Sequence, residues 1–179
     1  MDAGLAGVIG ATVGMLGGLG SGFVAFLGQN AQQRHQQVID REHRLEEKRR
    51  EAYLTCIETS KQVTSSWWRL ANHLLSDERS PDQSRQYAQD AQNGWVTFTK
   101  TADAVSIAGP DEMAGVAQSL REAMWRMDRA GTSWYTCVSA GGHADLASCE
   151  AEFRAAEAAR TEWGFVFLST ARRALMSER

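Results

Sequence analysis

The chain has 179 residues, with 19 lysines and arginines, 22 aspartates and glutamates, and a net charge of -3. This length fits one domain, or an anchor followed by one domain that is large enough to bury a core. The nearly balanced charge excludes proteins that bind nucleic acid through bulk positive charge. Only two prolines are present, which favours helices. The three cysteines lack dense spacing, so we expect reduced thiols in a cytoplasm and not a disulfide framework.

The first predicted element is an apolar stretch from Leu5 to Leu27 that contains no charged residue. Its mean hydropathy is about 1.8 per residue, more than a buried soluble helix needs. About 23 residues, each rising 1.5 Å, extend over about 34 Å and would cross a bilayer core. A secretory signal would have a basic start and a cleavage site after a shorter core, whereas this chain begins Met1-Asp2. We therefore predict an uncleaved transmembrane anchor over residues 1–28.

Glycines recur at every fourth position of this stretch, at Gly10, Gly14, Gly18 and Gly22. In water each would cost a helix roughly 1 kcal/mol relative to alanine. In lipid the helix is enforced, and a strip without side chains lets a second backbone approach closely. We predict that this glycine strip forms homo-oligomers. The alternative is that small residues are simply frequent in membrane helices. A phosphate-binding loop is excluded, because no strand precedes the glycines and no Gly-Lys-Ser/Thr follows them.

Residues 29–51 form a polar segment with charges of both signs, which predicts a solvated helical stalk. No lysine or arginine precedes the apolar stretch. The basic residues that follow it in the polar segment are Arg34, Arg41, Arg44, Lys48, Arg49 and Arg50. The positive-inside rule then predicts a single-pass protein of the inner or plasma membrane, with the N-terminus outside and the C-terminal domain in the cytoplasm. These residues could instead bind anionic lipid, but interleaved glutamates weaken that attraction.

Residues 52–179 carry four apolar stripes with spacings of three and four residues, as in amphipathic helices. No helix breaker separates the first stripe from the stalk. Capping residues, prolines or glycines mark the turns, at Ser80-Pro81, Gly109-Pro110 and Gly141-Gly142. Short connections require antiparallel neighbours. We predict an all-α fold with an N-terminal transmembrane helix, a long stalk helix and an antiparallel four-helix bundle.

Aromatic and methionine residues lie on these stripes, and we interpret them as core and not as a cofactor site. The second stripe consists of Tyr87, Ala91, Trp95, Phe98, Ala102 and Val105. The third consists of Met113, Val116, Leu120, Met124, Met127, Trp134 and Val138. No cofactor is therefore predicted.

Metal-ligand chemistry is limited to one cluster around the turn at Gly141-Gly142, which consists of Cys137, His143 and Cys149, with Asp145 as a further candidate ligand. Two thiols and an imidazole suit zinc. Their spacing matches no known zinc module, however, and buried cysteines often serve as small apolar residues. The sequence has no E-x-x-H or H-E-x-x-H motif and no nucleophile at a defined distance from a base. We predict neither a metal site nor a catalytic residue, and expect that the protein is not an enzyme.

Two stretches, EEKRREAY at residues 46–53 and VSIAGPDEM at residues 105–113, resemble a loose group of uncharacterised actinobacterial proteins. Members of that group typically join an N-terminal hydrophobic segment to alanine-rich helices, with a V-x-L-x-G-P turn between two of them. In this chain Ile107 takes the place of the leucine. The resemblance implies a membrane-anchored helical bundle and implies no activity.

These features predict a membrane-anchored cytoplasmic scaffold or interaction module that self-associates through its glycine-faced helix. Its expected partners are membrane lipid, further copies of itself and a protein that binds a helix face or a groove, without nucleic acid. The alternative is a small pore-forming membrane effector, of the defence, toxin or phage-lysis type, assembled through the same glycines. A pore should have a polar stripe, but Thr12 and Ser21 are the only hydroxyl residues of the stretch.

Overall fold

The computed structural model describes the backbone of residues 3–76, 78–141 and 146–177, and side chains from Gln36 onward in these ranges except Val38, Ile39 and Ser177. The described residues form four α-helices and no strand. Their bounds are Ala3–Leu75 for α1, Pro81–Ala108 for α2, Asp111–Ser139 for α3 and Leu146–Ser177 for α4. The all-α prediction is confirmed, as is the prediction of four helical stripes.

The chain divides into two compact units, Met1–Leu45 and Glu46–Arg179. We call them unit 1 and unit 2. Within unit 1 the structure describes one element, the N-terminal part of α1. No helix among the described residues is long and apolar enough to cross a membrane.

The glycine strip and Arg34 lie where the side chains and their surroundings are outside the described residues. The transmembrane anchor, the glycine contacts and the boundaries at residues 28 and 51 therefore stay predictions.

The turn before α2 follows from local sequence. Ser80 caps the helix by accepting a long hydrogen bond from the backbone N–H of Gln83, at 3.5 Å, and Pro81 occupies the first turn. Proline is favoured there because its missing N–H would have no helical partner. At the other end, the backbone N–H of Gly109 donates to the carbonyl of Val105 at 2.9 Å. The predicted bounds of α2 are therefore confirmed.

Unit 2 buries the predicted stripes in a single core. The largest fully buried apolar side chains come from all four helices and are Val63, Trp67, Leu70, Phe98, Val105, Met113, Leu120, Met124, Met127, Phe153 and Phe167. Burying each such side chain contributes about 1.5–3 kcal/mol to folding. Edge-to-face aromatic pairs join α1 to α4, with ring centroids 6.3 Å apart for Tyr53–Phe167 and 5.6 Å apart for Trp68–Phe153. The contact residue that comes first along α1, Tyr53, pairs with the one that comes second along α4, Phe167. The two helices are therefore antiparallel, as predicted.

The closest packing in the core lies between α1 and α3, where the ring of Trp67 covers Gly131. A Cβ atom at position 131 would lie within 2.8 Å of three ring atoms of Trp67. The indole N–H of Trp67 also donates to the Asp128 carboxylate at 3.2 Å. Burial raises the pKa of Asp128, and the hydrogen bond from Trp67 opposes that increase. This tryptophan therefore fixes both the spacing and the register of α1 against α3.

Candidate functional site

The predicted cysteine and histidine cluster is only partly described. Cys137 on α3 and Cys149 on α4 are both half-buried, and His143 lies outside the described residues. Within the described residues, no group of three or more histidine, cysteine, aspartate or glutamate side chains could hold a metal ion. The third cysteine, Cys56, is fully buried, and burial raises the pKa of its thiol to about 12. A protonated, enclosed thiol is unsuited to act as a nucleophile.

Four of the predicted basic residues, Arg41, Arg44, Lys48 and Arg50, are exposed on α1. Arg49 is half-buried instead, and its Nε–H donates to the carbonyl of Ala108 at 2.8 Å. A carbonyl in the last turn of a helix has no helical partner, so a cation bound there is stabilised by the helix dipole. Arg49 therefore joins α1 to the end of α2.

The polar groups inside the core are structural. Ser60 on α1 is fully buried; it donates to the Ile57 carbonyl at 2.8 Å and accepts from Arg160 on α4 at 3.2 Å. Nearby, the hydroxyls of Thr59 and Thr101 lie 2.8 Å apart and connect α1 to α2. Each of these hydroxyls also bonds its own helix backbone, whereas the buried Nε–H of Arg160 has no hydrogen-bond partner among the described residues.

Two grooves of similar size run along α2. The groove between α1 and α2 has a volume of about 300 Å³, and its lining is dominated by small side chains, including Ala52, Ala104 and Ala108. The groove between α2 and α3 has a volume of about 280 Å³ and is lined by Trp95, Thr99, Arg121, Glu122 and Trp125. We call the second one the tryptophan groove. The two grooves differ in their lining, which includes two indoles only in the tryptophan groove.

The two indoles of the tryptophan groove have different surroundings. Trp95 is half-buried, and its ring lies 5.8 Å from that of Phe98 in the core. Trp125 is 48% exposed, and the guanidinium of Arg129 lies over it, 5.5 Å from the ring centroid. The sequence predicted Trp95 as a core residue; it packs against the core while its exposed part lines the groove. Trp125 lies off the predicted stripe and was missed. A tryptophan on the polar face of a helix, with arginines one turn away, is the signal that could have found it.

Charged side chains border the tryptophan groove. Arg121 on α3 pairs with Asp103 on α2 at 3.0 Å and bridges the two helices. The Glu122 carboxylate accepts a hydrogen bond from Gln118 at 3.0 Å. Arg129, whose guanidinium lies over Trp125, is exposed and forms no ion pair with another described residue. The border of the groove on α3 thus carries charges of both signs, and Arg129 is a cation there without an acidic partner among the described side chains.

Another exposed apolar surface lies on the outer side of α4, where Phe165 is 69% exposed, Leu168 45% and Met176 63%. These residues form a ridge and line none of the grooves described above. A ridge encloses less of a ligand than a groove does, so the tryptophan groove is the better candidate for specific binding.

No protein-family model, no curated protein and no solved structure matches the chain. The resemblance to actinobacterial proteins therefore stays a prediction. The class of protein that fold and site define is an all-helical bundle with an exposed tryptophan groove.

Proposed function

We propose that the protein is a membrane-anchored interaction module. Its N-terminal helix anchors the chain and self-associates through Gly10, Gly14, Gly18 and Gly22, and its bundle docks a partner protein in the tryptophan groove on the cytoplasmic side. The observation that carries the docking step is the pair Trp95 and Trp125, whose indoles line a groove between α2 and α3.

The support for the anchor comes from the sequence. A glycine-rich helix is marginal in water, because each glycine lowers helix stability by roughly 1 kcal/mol relative to alanine. In a bilayer the same helix is stable, because its backbone hydrogen bonds have no competing water. The uncharged stretch from Leu5 to Leu27 is long enough for that environment.

Docking in the tryptophan groove is supported by the composition of the groove. Tryptophan and arginine are the residues most enriched where binding energy concentrates in protein interfaces. A groove between two helices suits the apolar face of a third helix. Arg129, which lies over Trp125 without an acidic partner, favours a carboxylate beside that face. The proposed occupant is thus an amphipathic helix of a second protein that carries an acidic residue at this position.

Hydroxyl-radical oxidation, read by mass spectrometry, tests the docking step without knowledge of the partner. The full-length protein is compared in its native membranes and after purification in mild detergent. We expect Trp125 to be protected in the membranes and oxidised after purification, while the exposed Met176 is oxidised in both. Equal oxidation of Trp125 in both samples would contradict docking. Protection of Trp125 in the purified protein would mean that a second copy fills the groove, which also contradicts a partner protein.

A further inference from the structure

A third cavity lies at the end of unit 2 where α1 ends, α2 begins and α3 ends. Its volume is about 430 Å³, larger than either groove along α2. We call it the distal cavity. It is lined by apolar side chains that include Leu74 and Val138, by the aromatic ring of Tyr135, and by the charged side chains of Arg79 and Arg85. Volumes of roughly 300–1,000 Å³ are typical of small-molecule sites.

The two arginines of the distal cavity are weakly engaged. Arg85 lies 3.6 Å from the Asp82 carboxylate, and both side chains are largely exposed. Exposed pairs of this kind contribute little, because water screens them. Arg79 forms no ion pair with another described residue. Two guanidinium groups are therefore available at one cavity, and guanidinium binds carboxylates and phosphates in two-pronged geometry.

Apolar side chains also line the distal cavity. Leu74 is buried in the core, and Tyr135 and Val138 are half-buried on α3. These side chains offer contact to a ring or a short alkyl chain. Ser139 also lines the cavity, and a serine hydroxyl can donate or accept a hydrogen bond.

Side-chain hydrogen bonds hold the segment that carries Arg79. The ring Nε2 of His73, near the end of α1, lies 3.2 Å from the backbone nitrogen of Ser80 and 3.2 Å from its carbonyl oxygen. The Ser84 hydroxyl donates to the same carbonyl at 3.0 Å. The ring of His73 packs edge-to-face on Tyr87, with centroids 5.6 Å apart. A segment fixed in this way loses little entropy when a ligand binds, which increases affinity.

The geometry points to a binding site for a small amphipathic anion in the distal cavity. The carboxylate or phosphate of the ligand binds Arg79 and Arg85, and its apolar body packs on Leu74, Tyr135 and Val138. This site is separate from the tryptophan groove and does not depend on the proposed function.

Saturation-transfer NMR on the full chain in phosphatidylcholine nanodiscs tests this site, with empty nanodiscs as the background. The probe is phenyl phosphate. Phenol and inorganic phosphate are measured for comparison, because each represents one half of the probe. We expect saturable binding of phenyl phosphate that is at least about tenfold tighter than binding of either half, because both the arginines and the apolar side chains of the cavity contribute. Absence of saturable binding, or equal affinity for one of the halves, would overturn the proposal.

Charge-matched variants locate the binding. Replacing both arginines, with Arg79→Gln and Arg85→Gln, should weaken phenyl phosphate binding by at least about tenfold. Arg172→Gln is the control, because Arg172 is exposed near the C-terminal end of α4 and does not line the distal cavity. We expect this substitution to leave the affinity for phenyl phosphate unchanged. Circular dichroism of each variant verifies that the helices remain. Unchanged affinity in the double variant, with intact helicity, would overturn the site.

Discussion

Glycines in the two units are arranged differently. In unit 2, Gly131 and Gly94 stand singly, each where a side chain of α1 packs against a neighbouring helix. In the N-terminal stretch glycines recur at every fourth residue, which on a helix forms a continuous strip. A single glycine makes room for one side chain, such as the ring of Trp67. A continuous strip makes room for a whole helix backbone. Single glycines therefore predict packing within one chain, whereas the strip predicts association between chains.

The largest expected effect is that of Gly131→Ala. The added Cβ would lie within 2.8 Å of three atoms of the Trp67 ring, and the buried ring has little space in which to move. We expect the free energy of unfolding to fall by about 3 kcal/mol, the upper part of the range for overpacking. Urea unfolding of the full chain in mild detergent, followed by tryptophan fluorescence, measures this change.

The matched control for that substitution is Gly115→Ala on the same helix. No atom lies within 4 Å of a Cβ at this exposed position. Alanine should therefore stabilise the helix by up to about 1 kcal/mol. If both substitutions changed stability alike, close packing of Trp67 on Gly131 would be wrong.

A smaller effect is expected for Gly94→Ala on α2. Its Cβ would lie 3.1 Å from Cγ2 of Val63, so one methyl group must shift. We expect a loss of about 1 kcal/mol in the same unfolding measurement, since overpacking exceeds the gain in helix propensity. In a Val63→Ala background the crowding methyl is gone, and the substitution should become stabilising. A loss of the same size in both backgrounds would exclude this contact as the cause.

The smallest effect concerns Asp128, which holds the Trp67 ring over Gly131 through its hydrogen bond to the indole. Because burial raises the pKa of Asp128 above its ordinary value of 3.8, the unfolded chain ionises first as the pH rises. The free energy of unfolding then falls between that value and the higher folded pKa, and it stays lower above it.

Asp128→Asn keeps an oxygen acceptor for Trp67 and removes the charge, so we expect the variant to be more stable than wild type at pH 7. The advantage should shrink as the pH falls from the raised folded pKa of Asp128 towards 3.8, and it should not change further at lower pH. Unfolding curves at a series of pH values measure it. An advantage that does not change with pH would show that charge burial at Asp128 is not its source.

Much of the fold could be predicted because it depends on local patterns. Spacings of three and four residues identify the buried face of each helix, and Ser80 and Gly109 mark helix ends by their own chemistry. The role of Gly131 could not be predicted, since it depends on which residue of α1 meets α3 at that level. The groove lined by Trp95 and Trp125 could not be predicted for a related reason. Periodicity indicates which side of a helix faces its neighbours, but the distance between two helices decides whether a groove remains.

The number of chains in the oligomer tests most directly whether the glycine strip joins separate chains. Dye leakage from liposomes distinguishes the two functions, because a pore releases the dye and a scaffold does not. Gly14→Leu with Gly18→Leu lies on the glycine strip, whereas Gly17→Leu with Gly20→Leu adds the same bulk away from it.

The decisive measurement is the mass of the full-length chain and of these two variants in mild detergent, by size-exclusion chromatography with light scattering. We expect oligomers for the wild type and for the off-strip variant, and monomers for the strip variant. Equal masses for all three proteins would contradict association through the glycine strip.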